Sequence, residues 1–154
     1  MPNKTDMSNL EAAGSWAKKY FLASRALMES VLRPYDLGST QWYVLYLLAN
    51  EGPVNQRDLT RLLEIERATL SAVISALVRK GLIEQLPDRG DQRQKVLQIT
   101  VTGRKLWATL PDPIELIATV AFDGVDAEEI ATTNRILREA TQRLIEHRKG
   151  ANRL

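Results

Sequence analysis

The chain has 154 residues, 44% of them hydrophobic, which suits one ordinary domain or a binding lobe joined to a small second lobe. Cysteine is absent, so disulfides, thiolate zinc sites and cysteine redox switches are excluded. The net charge of +2 does not by itself announce a nucleic-acid partner, but ten of the cations and only six carboxylates fall within residues 57–105. That excess makes the middle of the chain a basic lobe on an otherwise mildly acidic protein.

In chain order, residues 9–33 read as one long helix, with Leu10, Ala13, Ala17, Tyr20, Ser24, Leu27 and Val31 in steps of three and four. Trp16, Phe21, Met28 and Leu32 widen its apolar face, so it needs two partners, and Pro34 limits it. A very apolar helix follows over 41–50, capped by Ser39 or Thr40 and ended by Gly52-Pro53. Asn55 caps a short third helix whose apolar face is Leu59, Leu62 and Leu63. A tight turn near 63–66 leads to a fourth helix over 66–80, with Leu70, Val73, Ile74, Leu77 and Val78 at helical spacing. Arg79, Lys80 and Gly81 write its end. Residues 82–86 and 96–100 read as strands joined by a polar loop. Thr100 opens a helix carrying Leu106 and Trp107, which Pro111 and Pro113 interrupt. Asp126 with Glu129 makes a capping-box start for a last helix to about residue 148, where Ile130, Thr133, Leu137, Ala140, Leu144 and His147 form a seam. Residues 1–8 and 150–154 read as flexible tails.

Two short helices joined by a tight turn, the second presenting small polar residues, can seat a helix in the DNA major groove. With Leu70, Ile74 and Leu77 inward, Arg67, Thr69, Ser71, Ser75 and Arg79 face outward among alanines that let the helix approach closely. The loop between the strands carries Arg89 and Arg93, and arginine suits the narrow, electronegative minor groove. Asp91 between them can hold a guanidinium in a fixed pose.

The run 37–106 resembles the MarR family of winged helix-turn-helix regulators. The matching pieces are LGSTQWYVLYLL, GPVNQRDL, ERATLSAVISALVRKGLIEQ, PDRGDQR and ITVTG, in that order. The Asp91-x-Arg93 pair and the Thr100-x-x-Gly103 helix start are the more specific of them. The resemblance implies a mainly α fold with a small β-hairpin wing. A winged helix-turn-helix lobe spans 37–106, and helices from both chain ends, 9–33 and 107–149, form a dimerisation lobe. It implies a homodimer gripping a pseudo-palindromic duplex, with Arg93, held by Asp91, and Arg89 working from the wing. Repression is the implied direction of control.

Other chemistry finds little support. His147 is the only histidine and there is no cysteine, so a metal site is improbable and serine or threonine nucleophiles lack a base. Neither GxxxxGK[ST] nor GxGxxG occurs. The expectation is a protein that is not an enzyme and needs no cofactor. No apolar run of eighteen residues and no apolar signal core is present, which reads as a cytoplasmic protein with no membrane partner. Trp16, Tyr20, Trp42 and Tyr46, with Arg25, suggest apolar walls and a cation for a small aromatic or phenolic effector, the ligand class bound by similar family members. Ala72, Ala76 and Gln92 stand where that family often carries basic residues. They keep open an alternative, a winged-helix module for protein–protein contact that has lost DNA binding.

Overall fold

The computed structural model describes residues 4–152. It divides into two compact units, Met1–Ile114 and Glu115–Leu154. Of the expected tails, residues 1–3 and 153–154 lie outside the described residues, while residues 4–8 and 150–151 are helical.

The first unit opens with α1 (Lys4–Leu32). Pro34 has no N–H to continue the ladder, and the chain leaves through a 3-10 turn, Arg33–Tyr35, into Asp36 at φ 55°. Helix α2 (Ser39–Glu51) begins earlier than its apolar run, because its N-cap is Gly38 and not Ser39 or Thr40. Gln41 Oε1 accepts the Gly38 N–H at 3.2 Å, and the Ser39 N–H donates to Glu29 Oε1 at 2.9 Å. A carboxylate ten residues away thus does the work that a local hydroxyl was expected to do. Gly52 at φ 83° ends α2.

Strand β1 (Val54–Asn55) leads into α3 (Gln56–Leu63), where Asn55 Oδ1 accepts the Arg57 N–H at 2.8 Å. Leu59 is buried, but Leu62 is exposed, so the apolar face of α3 is narrower than its spacing suggests. Glu64 at φ 52° makes the tight turn, and α4 (Arg67–Arg79) follows from Glu66. Leu70, Ile74 and Leu77 are buried as expected; Val78 is not. Strands β2 (Ile83–Pro87) and β3 (Lys95–Ile99) form an antiparallel hairpin with Ile83 opposite Ile99 and Pro87 opposite Lys95. Two-residue β1 pairs with the other edge of β3, giving the order β1-β3-β2. Its length is too short for any alternation to announce it.

Helix α5 (Val101–Thr109) starts at Thr100, whose Oγ1 accepts the Gly103 N–H at 3.0 Å and donates to the Gly81 carbonyl at 2.6 Å. One hydroxyl therefore caps α5 and ties it to the end of α4. The core of this unit runs from Met28 to Ile99 and is built from the end of α1, α2, α3, α4 and the sheet.

Helix α6 (Pro113–Ala121) begins after the break at Pro111. The second unit holds the rest of α6 and α7 (Ala127–Ala151). Asp126 occupies the N-cap of α7 but makes no side-chain cap bond, contrary to the expected capping box. No residue of α7 is buried, and Leu137 and Leu144 of its seam are exposed.

Candidate nucleic-acid interface

Helix α4 is anchored by three side chains on one stripe, which turns Arg67, Thr69, Ser71, Ser75 and Arg79 to solvent. Ala68 and Ala72 lie exposed among them and add almost no bulk. The outward face is therefore polar, thin and cationic at both ends, a shape that fits a groove floor. Lys80, one residue further on, is committed elsewhere. Its Nζ bonds to the Asp36 carbonyl and to Gln41 Oε1 (3.1 Å) and lies 3.5 Å from the Asp36 carboxylate.

The wing tip is shaped by its two aspartates. Asp88 Oδ1 accepts the Gly90 N–H at 2.8 Å, and Asp91 Oδ1 accepts the Arg93 N–H at 3.0 Å. Asp88 N–H and Gln94 C=O close the base at 3.0 Å, and Gln94 N–H bonds the Asp91 carbonyl at 2.9 Å. Asp91 thus fixes the backbone of Arg93 and not its guanidinium, which corrects the expected carboxylate–guanidinium pose. An aspartate reaches the amide two residues on through an Asx-turn more readily than it reaches the far end of a long arginine side chain. Arg89 and Arg93 are exposed, and neither joins an ion pair among the described residues.

Gln94, which the sequence pattern did not single out, sits at the base of the wing, half-buried. Asn55 Nδ2 donates to its oxygen at 2.7 Å, and its amide lies against the Arg57 guanidinium; with the amide turned over, the oxygen would accept from Arg57 Nη2 at 2.9 Å and Nη1 at 3.1 Å and the nitrogen would donate to Asn55 Oδ1 at 3.0 Å. Turning it over relieves an NH₂ group set against a guanidinium but brings the Gln94 nitrogen 2.7 Å from Asn55 Nδ2, so the Asn55–Gln94 side-chain bond is common to both orientations. Asn55 Nδ2 also reaches Asp88 Oδ2 at 3.4 Å.

The five aromatic and cationic residues expected at an effector site are only partly brought together. Trp42 and Tyr46 stack at 5.2 Å, joined by Trp107, which tilts against Trp42 at 5.4 Å and was not foreseen there. Trp42 is buried and its indole Nε1 has no hydrogen-bond partner among the described residues. Trp16 stands 66% exposed on α1 with Lys19 Nζ 4.8 Å from its ring centre, and Tyr20 is also exposed. Arg25 lies exposed on α1, where its charge acts on Glu29. None of the five lines the polar cavity of about 310 Å³ bordered by Glu29, Arg33, Asp36, Gln41 and Lys80. There the Ser39 side chain and backbone N–H hold the Glu29 carboxyl below its ordinary range, helped by Arg25 and Arg33 and opposed by burial. No group of three or more metal-ligating side chains occurs among the described residues, and no helix there is long and apolar enough to cross a membrane.

Residues 35–94 match the MarR family. That stretch covers the helix-turn-helix and most of the wing described above. Among curated relatives, the HTH-type transcriptional repressor NicR of Pseudomonas putida is 23% identical over 129 residues, covering 84% of this chain and 82% of NicR. The HTH-type transcriptional regulator FarR of Neisseria gonorrhoeae is 29% identical over 96 residues, 60% of this chain and 66% of FarR. In fold, it is similar to a cysteine-to-serine mutant of MarR from E. coli complexed with operator DNA. The TM-score is 0.75 at 20% identity, over 86% of this chain and 95% of that one. It is also similar to BpsR of Bordetella bronchiseptica, described as regulated in its DNA binding by 6-hydroxynicotinic acid. There the TM-score is 0.74 at 23% identity, over 83% and 91% of the two chains.

Proposed function

We propose that the protein is a homodimeric transcriptional repressor that binds a pseudo-palindromic operator. One observation carries the reading: a thin polar face on α4 and two unpaired wing arginines, Arg89 and Arg93, are exposed on the same small unit. In the dimer the two α4 helices stand about one duplex turn apart, ~34 Å, and enter successive major grooves. Arg67, Thr69, Ser71, Ser75 and Arg79 contact bases or phosphates, and the wing arginines enter the minor groove or grip the backbone. The operator complex of E. coli MarR supports this by analogy of fold.

Dimerisation is supported by apolar side chains left uncovered in the single chain. Leu10, Trp16, Phe21 and Leu22 are exposed on α1, and Ile136, Leu137, Leu144 and Ile145 on α7. So many large apolar side chains left in solvent on two long helices are the reason to propose a covering partner. A small aromatic acid is the proposed effector. It is supported by the Trp42–Tyr46–Trp107 cluster with its unpartnered indole N–H, and by the effector named for BpsR. Its binding would shift the population of DNA-competent dimers.

Fluorescence anisotropy of a labelled duplex from upstream of the protein's own gene, against a scrambled duplex and across a salt series, tests the function. Selective binding that falls steeply with salt is expected. Equal, weak binding to both would favour a winged helix that serves protein contact instead. Tryptophan fluorescence titrated with 6-hydroxynicotinic and other aromatic acids tests the effector; no change across the panel removes it.

A further inference from the structure

The DNA-facing arginines sit on a hairpin tip, and a hairpin tip is free to swing unless something outside the hairpin holds it. Here the hold is a cluster of four side chains from two elements. Gln94, at the base of the wing, is bonded to the Asn55 side chain at 2.7 Å, its amide lies against the Arg57 guanidinium, and Asn55 Nδ2 reaches the Asp88 carboxylate across the hairpin at 3.4 Å. Asn55 is also the N-cap of α3, and Arg57 lies in the first turn of that helix. The contacts bridge 39 residues of sequence between Asn55 and Gln94. They fasten the wing to the first helix of the helix-turn-helix, whose second helix carries the outward polar face.

We propose that Gln94 is a positioning residue for DNA binding: it clasps the wing to the start of α3 through Arg57 and Asn55, so that Arg89 and Arg93 reach the duplex at a fixed angle to α4. The inference rests on the DNA-binding reading above. Gln94 is half-buried at the base of the wing, while Arg89 and Arg93 are exposed. Arg57, whose charge would also suit a phosphate, has its guanidinium against the Gln94 amide, whose oxygen can accept from both Nη1 and Nη2. A swinging tip would have to be ordered on binding, and that entropy is lost at the moment of association; a clasped tip has lost it already.

The test uses a fluorescein-labelled duplex selected from a random pool by the wild-type protein. Gln94→Ala should weaken binding by about threefold to tenfold, the equivalent of one or two ordinary hydrogen bonds. Arg57→Ala should cost about the same, and the double variant little more than either, because both break one clasp. In an Arg89→Ala, Arg93→Ala background, Gln94→Ala should cost almost nothing, since there is no arginine left to aim. Amide hydrogen exchange of residues 88–94 in the free protein should speed up in Gln94→Ala while that of α4 stays unchanged. Unchanged affinity in Gln94→Ala overturns the proposal. So do additive losses with Arg57→Ala, which would make Arg57 a phosphate ligand in its own right, and an equal loss in the background without wing arginines. Unfolding of Gln94→Ala is detected by circular dichroism, and Gln94→Met, which keeps the bulk and removes the bonds, then stands in for it. A wild type that enriches no duplex rejects the DNA-binding reading, and this inference with it. Loss in the Gln94 variants with none in Arg57→Ala leaves that reading intact and overturns the clasp.

Discussion

At Arg93 the backbone is bonded and the guanidinium is not. Asp91 takes the amide N–H at 3.0 Å, and the side chain extends into solvent with no acidic partner. An unpaired guanidinium gives up only water when it meets a phosphate or a base edge, so Arg93→Ala should weaken operator binding by about 1–3 kcal/mol if the contact is bidentate, and less if it is to phosphate alone. A salt series separates the two, because a lost phosphate contact lowers the salt slope by about one. Gly103 is constrained in the opposite sense. A Cβ there would collide with the Leu82 carbonyl oxygen and stand 2.7 Å from Ile99 Cγ1, since α5 lies directly against the start of the wing. Gly103→Ala should destabilise the fold by about 1–3 kcal/mol. At about 2–4 °C per kcal/mol for a chain of this size, that loss is readily seen in thermal melting. The glycine of the Thr100-x-x-Gly103 start is thus required by close approach and not by backbone conformation.

Among the elements, α2 shows how a helix start can depend on a distant residue. Its first turn is held by Gln41 from within and by Glu29 from α1. Because the Glu29 carboxyl is held below its ordinary range in the fold, its contribution is complete above that range and is lost as pH falls through the folded value. Glu29→Ala should cost about 1 kcal/mol near neutral pH, as the loss of a helix cap does, and the gap to the wild type should close in acid. A melting difference that is the same at every pH would assign Glu29 a packing role. The strand β3 and the buried stripe of α4, by contrast, follow from their own sequences. The hairpin register places Leu97 and Ile99 in the core, and alternation along β3 is enough to choose that face.

For the molecule as a whole, the buried apolar side chains gather between Met28 and Ile99, while the two long terminal helices keep large apolar groups in solvent, Leu144 at 73% exposure and Leu10 at 62%. A second copy of the chain is the proposed cover. Leu137→Glu with Leu144→Glu should then yield a monomer in sedimentation equilibrium at micromolar concentration, with the melting of the winged helix little changed and operator binding much reduced. Each monomer would hold one half-site alone and lose the gain of simultaneous engagement. A wild type that sediments as a monomer refutes the dimer outright.

The helix-turn-helix, the inward stripe of α4 and the hairpin were legible in the sequence because each follows from short-range periodicity and turn chemistry: Leu70, Ile74 and Leu77 in steps of four and three, and a Pro-Asp-Arg-Gly-Asp tip between two apolar runs. The outward set Arg67, Thr69, Ser71, Ser75 and Arg79 follows as the complement of that stripe. Contacts between distant residues were not legible. Strand β1 exists only because β3 lies beside it, the start of α2 rests on Glu29, the Trp42 cluster is completed by Trp107, and Gln94 meets Asn55 and Arg57 only after the wing has folded back. Local sequence determines which face of each helix and strand is apolar, because that is a property of spacing along one element. Which polar side chains then find one another depends on how the elements dock, and only the tertiary structure decided that.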